Sequence, residues 1–185
     1  MNKKEWQVIL AGEGGQGLVF IGALLGEAAV ADGKNAAQSA SYTIASRGGF
    51  TKADVVISDD EISFPEVTEP DAVLALSAGS LARYADTIGP ETVLIYDSAL
   101  GEGPSGPNQF SVPLSEVVKE AAAEGRRAPL NLVGLGAVLG MIEMVNWDAF
   151  EKVLSAKFPA PEVVKANWDA LMAGAELVKG LKRDS

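Results

Sequence analysis

Neither cysteine nor histidine occurs anywhere in the 185 residues. Without cysteine the chain binds no iron–sulfur cluster through thiolates, closes no disulfide and has no thiol nucleophile. Without histidine it lacks the commonest general base and the commonest metal ligand. A carboxylate metal site stays open in principle, but no carboxylate spacing suggests one. Cations are scarce too: 15 Lys and Arg stand against 25 Asp and Glu, a net charge of −10. A field of that sign repels phosphate backbones and anionic lipid, which argues against nucleic acid and membrane surfaces as partners. The longest apolar run, "LNLVGLGAVLGMIEMV", is broken by Glu143 and is short for a membrane span. "MNKKEWQVIL" leads into a strand-like run with no apolar leader segment, so the expected location is cytoplasmic. Any redox or acyl chemistry must draw much of its equipment from elsewhere.

What is present reads as one domain over residues 1–185, large enough for a real core. "WQVILAG" predicts a buried strand stopped at Gly12, and residues 15–32 turn helical, with Leu18, Ile21, Leu24, Leu25, Ala28 and Ala29 at helical spacing. "NAAQSASY" predicts a second strand and "ADVVIS" a third, with "SRGGF" as a loop between them. "DAVLALS" and "ETVLIYDS" are the continuous apolar runs expected in a parallel sheet covered on both faces. "SLARYADTI" between them predicts a crossover helix with Leu81, Tyr84 and Ile88 inward. A short strand follows, then a helix from about Pro113. Three helices close the chain, one over residues 131–144. The second carries Phe150, Val153, Leu154 and Phe158, and the third Val164, Trp168, Leu171, Ala175 and Val178. The expected fold is α/β: a Rossmann-like three-layer domain with a mostly parallel sheet and extra C-terminal helices.

One stretch carries chemistry. Strand, Gly12-x-Gly14-x-x-Gly17 and helix form the arrangement that aims backbone N–H groups and a helix N-terminus at an anion. A dinucleotide site also wants an acid about 20 residues on, at the end of the second strand. "NAAQSASY" has none, Asp32 comes too early, and Asp54 falls on a later strand. A bare strand-to-helix turn is the plain alternative, although it needs neither the extra Gly15 nor the polar Gln16. Glu13 adds negative charge at the loop and fits a phosphate only if it points to solvent.

Taken together, "GEGGQG", "GEAAVADGKNAAQSASY", "SRGGFTKADVVISDDEISFPEVTEPDAVLAL" and "NLVGLGAVLG" resemble the gamma subunit of the 2-oxoacid:ferredoxin (acceptor) oxidoreductases. The resemblance spans about Gly12 to Gly174. Within the family it is nearest the 2-oxoglutarate branch, through "GKNAAQSASY" and "ISFPEVTEPD". It implies an enzyme that converts a 2-oxoacid, coenzyme A and an oxidised acceptor to acyl-CoA, carbon dioxide and reduced acceptor. It also implies alpha and beta partners, with a ferredoxin-like delta chain in some members. Thiamine diphosphate, magnesium and iron–sulfur clusters then belong to the partners, and this chain helps receive coenzyme A. No Gly-Asp-Gly thiamine signature occurs here, in keeping with a non-catalytic subunit that binds no cofactor alone.

By the same resemblance the glycine loop is Gly12, Gly14, Gly15, Gln16 and Gly17, and the Arg-Gly-Gly loop is Arg47, Gly48 and Gly49. Arg47 clamps a phosphate or forms a structural ion pair, and Lys52 lies close enough in sequence to add a second charge. Relatives often carry Gly-Pro-Glu-Ala before the arginine, where this chain has Thr43, Ile44, Ala45 and Ser46. Asn131 caps a helix or contacts the coenzyme or a neighbouring chain. Gly136 and Gly140 smooth one helix face, for burial under the sheet or for a partner. The small residues and apolar C-terminal helices predict association, with itself or with alpha and beta chains. The rival functions are a free-standing nucleotide-dependent oxidoreductase and an assembly module whose loop binds nothing.

Overall fold

The computed structural model describes residues 3–42, 49–104 and 106–181. The strands are β1 (Glu5–Glu13), β2 (Asn35–Tyr42), β3 (Phe50–Ser58), β4 (Ala72–Ala75), β5 (Val93–Asp97) and β6 (Gln109–Val112). They make one sheet in the order β2-β3-β1-β4-β5-β6. β1, β4, β5 and β6 pair parallel in sequence, whereas β3 is antiparallel to both β1 and β2. Five strands therefore run one way and β3 alone is reversed. The sheet is mostly parallel, as expected, with a hairpin arm inserted between β1 and β2.

Helix α1 (Leu18–Ala31) carries the chain from β1 to β2 on one face, and α2 (Ala78–Tyr84) joins β4 to β5 on the other. This is what crossovers do when strand order runs outward from β1 in both directions. Helices α3 (Leu114–Ala123), α4 (Leu130–Met141), α5 (Trp147–Lys157) and α6 (Pro161–Leu177) add to the α1 side. The core alternates accordingly: Val8, Leu10, Leu74 and Ile95 face α1 and α4, while Ile9, Ala11, Val73 and Leu94 face α2. All six α1 residues expected inside are buried.

Several boundaries differ from the sequence reading. Gly12 does not stop β1: the strand runs on to Glu13, because β3 pairs with it as far as Phe50. The first helix starts at Leu18, after Gly15 (φ 91°) and Gly17 (φ 75°) have turned the chain through left-handed conformations. The helix expected over 80–88 spans Ala78–Tyr84, with Leu81 and Tyr84 buried and Ile88 packed on the same cluster beyond its end. Pro113 is the N-cap of α3.

Gly136 and Gly140 face neither the sheet nor a partner. They lie against α6, where Gly136 meets the Leu171 carbonyl and Gly174 in return meets the Val133 carbonyl. Gly134 instead faces the sheet at Leu74. The small residues that suggested surplus surface let two helix backbones touch within this chain.

Asp32 ties α1 to α5. It accepts hydrogen bonds from the Lys34 ammonium at 2.5 Å, the Asn146 amide N–H at 3.2 Å and the Asn146 side chain at 2.5 Å. Burial alone would raise its pKa, but these bonds outweigh that and hold it below the ordinary 3.8. A carboxyl that ionises more readily folded than unfolded adds stability above the ordinary carboxylate range. That stability is lost as pH falls through the folded pKa. Asp32→Asn is expected to destabilise the protein at neutral pH by about 1–2 kcal/mol. It should also flatten the loss of stability below about pH 4. Urea unfolding of both proteins from neutral to acid pH checks this; parallel curves would contradict it.

Candidate functional site

The strand order reverses between β1 and β4, and open α/β sheets bind ligands beyond the strand ends at such a point. The glycine loop stands there, but its members do different things. The Gln16 side chain folds back over Gly12, where a Cβ would collide with it. Its Oε1 accepts the Glu13 amide at 2.7 Å and its Nε2 donates to the Leu76 carbonyl at 2.9 Å. Gln16 thus bridges the ends of β1 and β4, and Gly12 is glycine to make room for it. Gly17 is left-handed, and a Cβ there would strike the Asn131 side chain. Gly15 needs its positive φ and faces open space.

Gly14 is different. Its φ is not positive, and a Cβ would make only ordinary contacts, at 3.8 Å, with the Gly49 carbonyl and the Thr51 hydroxyl. Its N–H donates to Gly49 O at 3.0 Å, which joins the glycine loop to the end of the second loop. Nothing within the described residues requires glycine at this position.

Asn131 lies inside the first turn of α4, whose N-cap is Pro129, so it is not at the cap position. The polar, small side chain still reaches two backbone groups. Its Oδ1 accepts the Leu132 N–H at 2.9 Å, and its Nδ2 donates to the Gly17 carbonyl at 3.3 Å. The N-termini of α1 and α4 are thereby held together beside the loop.

Lys52 does not stand free as a second charge. Strand alternation places it and Asp54 on the α2 face, and its ammonium bonds the Asp54 carboxylate at 2.5 Å. Asp54 is 4% exposed, and its Oδ1 has no hydrogen-bond partner among the described residues. Lys52 is therefore largely committed to balancing a buried acid. Tyr84 lies nearby; burial pushes its phenol up, with Lys52 opposing and Asp54 adding to the shift.

A cation the sequence reading passed over stands at the same end of the sheet. The Arg83 guanidinium lies 4.8 Å from the Phe50 ring, and Phe50 pairs with Glu13 beside the glycine loop. Arg83 makes no ion pair among the described residues. The contact links residues 33 positions apart, so no local motif announces it. Arg47 and Gly48 lie outside the described residues. Among the described residues no group of three or more acids gathers as a metal site.

This is a doubly wound α/β domain with a glycine-rich strand-to-helix turn at its switch point. The profile of the pyruvate ferredoxin/flavodoxin oxidoreductase family matches residues 7–177. The chain belongs to that family, as a gamma subunit of a 2-oxoacid:ferredoxin oxidoreductase.

The relatives agree on this. The 2-oxoglutarate synthase subunit KorC of Methanocaldococcus jannaschii is 33% identical over 97% of both chains. The gamma subunit of a keto/oxoacid ferredoxin oxidoreductase from Geobacter sulfurreducens superposes with a TM-score of 0.78 at 30% identity, over 96% of this chain and 98% of that one. A 2-oxoglutarate:ferredoxin oxidoreductase from Magnetococcus marinus, solved with 2-oxoglutarate, coenzyme A and succinyl-CoA bound, matches with a TM-score of 0.85 at 26% identity. That match covers all of this chain and 32% of the other. The same domain thus occurs both as a separate chain and as a third of a longer one. Among the described residues no helix is long and apolar enough to cross a membrane.

Proposed function

We propose that the enzyme served by this chain acts on 2-oxoglutarate in the cytoplasm, and that the chain's role is to receive coenzyme A at the β1–α1 turn. The observation that carries the coenzyme reading is Gly14, a glycine that no described residue requires at the mouth of a switch-point loop. Coenzyme A presents a pyrophosphate and a 3′-phosphate, and backbone N–H groups with one or two guanidinium groups are suitable chemistry for them. Arg47 and Arg83 are the cations for that role. The Gln16 bridge across the crevice and the missing acid at the end of β2 count against a dinucleotide. The substrate reading rests on KorC relatives at 33–35% identity, beside ketoisovalerate oxidoreductase chains at 30%.

The residues present do not fit the redox groups. With no cysteine there are no thiolates for a cluster, so electrons pass through companion chains. Thiamine diphosphate and magnesium belong with those companions, and this chain's residues position one substrate only. The purified chain is expected to show no 2-oxoacid-dependent acceptor reduction, and to restore it, with coenzyme A turnover, when mixed with its companions. Acceptor reduction by the chain alone would overturn the reading.

A further inference from the structure

We infer that the outer edge of β2 pairs with the same edge of a second copy of this chain. Among the described residues no strand lies outside β2. Edge strands are usually blunted by Lys, Pro or a bulge, because their free N–H and C=O groups template further pairing. β2 has none of these: "NAAQSASY" contains no charge and no proline, and its register with β3 is unbroken from Asn35 to Tyr42.

The side chains fit a two-fold arrangement. Ala36, Gln38, Ala40 and Tyr42 share the α1 face, and Ala37, Ser39 and Ser41 the other. An antiparallel pair centred on Ser39 sets Ser39 against Ser39, Ala37 against Ser41, and Tyr42 against Ala36 of the other copy. No like charges meet. Tyr42 is 64% exposed on the α1 face. A groove of about 420 Å³ between α1 and β2 is lined by Ala23, Gly26, Glu27, Val30 and Ala36. Val30 on its rim is 60% exposed. The proposed register brings the tyrosine of each copy to the groove of the other, covers Val30, and offers Glu27 as an acceptor for the phenol. Glu27 is already balanced by Lys157 at 2.6 Å, so the groove holds no unpaired acid. Knob and hole belong to one surface, which is what an isologous dimer requires. The pairing does not depend on the coenzyme reading.

Sedimentation velocity of the full chain across a concentration series tests this, with the wild type beside Ser39→Lys and Tyr42→Ser. Two lysines directly opposed at the centre repel, and serine empties the groove. Tyr42 is exposed on the free edge, whereas Ser39 lies opposite Asp54 of its own β3, so unfolding is followed for both variants. The wild type is expected to dimerise, and each variant to weaken the dimer at least about tenfold, with Tyr42→Ser unfolding like the wild type at dilutions where both are monomeric. Amide exchange should show β2 protected in the concentrated chain alone. A wild type that stays monomeric, a dimer indifferent to both variants, or β2 protection that appears only when companion subunits are added overturns the proposal.

Discussion

Gly174→Ala is expected to be among the most damaging single-methyl changes this protein can suffer. A Cβ at Gly174 collides with the Val133 carbonyl oxygen, and it also falls 2.8 Å from the Val133 carbonyl carbon and 2.9 Å from the Ala137 nitrogen. Those are backbone atoms of α4, held in its own helical hydrogen bonds, so they cannot swing aside as a side-chain tip can. Gly136 repeats the geometry in the other direction against Leu171. Either substitution must push α4 and α6 apart. That opens a core lined by Leu132, Val133, Ala137, Ala170 and Leu171, all buried. Overpacking of this kind costs about 3 kcal/mol or more when no side chain can give. A domain of this size is stable by only about 5–15 kcal/mol. Urea midpoints check the effect, with Gly79→Ala as control: Gly79 lies in α2 with open space around it and an ordinary φ. That control should be neutral or stabilising by about 0.5–1 kcal/mol. A Gly174→Ala protein as stable as the wild type would mean that α4 and α6 do not cross as described.

The inner strands β1, β3, β4 and β5 were legible because burial on both faces demands apolar runs, and the predicted edge strands β2 and β6 are strands too. Strand direction was not legible. "ADVVIS" carries no mark of antiparallel pairing, and β3 is placed between β1 and β2 by contacts that periodicity does not encode. The glycines of α4 were read as surplus surface because their partner, Gly174, lies more than 30 residues away in a helix read separately.

The site was half legible. Strand–glycine–helix located the loop, but glycine has several physical reasons and the spacing does not separate them. Gly12 leaves room for Gln16, Gly15 and Gly17 have positive φ, and Gly14 has neither reason among the described residues. Lys52 was read as a free cation, although Lys52 and Asp54 at i and i+2 on a strand share a face, and that signal was available. Arg83 was not, since its place depends on Phe50 across the sheet.

The second large effect concerns coenzyme A. In the assembled enzyme, Gly14→Asp is expected to leave the fold intact, since a Cβ there makes only ordinary contacts. Its carboxylate would stand beside Glu13 where the proposal puts a phosphate. Arg47→Ala removes the cation of the second loop, and Arg83→Ala removes the one stacked on Phe50. A charge-assisted hydrogen bond to phosphate lost from either arginine costs about 1.5–3 kcal/mol, roughly 10- to 100-fold in affinity. Like-charge repulsion from the aspartate acts in the same direction. If this chain receives coenzyme A as proposed, the loss should fall on coenzyme A and spare the 2-oxoacid.

The most direct test is steady-state kinetics of the assembled Gly14→Asp enzyme, with each substrate varied in turn. A KM for coenzyme A raised at least about tenfold, with the KM for the 2-oxoacid unchanged and the complex intact, is the result predicted here. An intact complex with unaltered coenzyme A dependence would contradict it and leave the loop a structural turn.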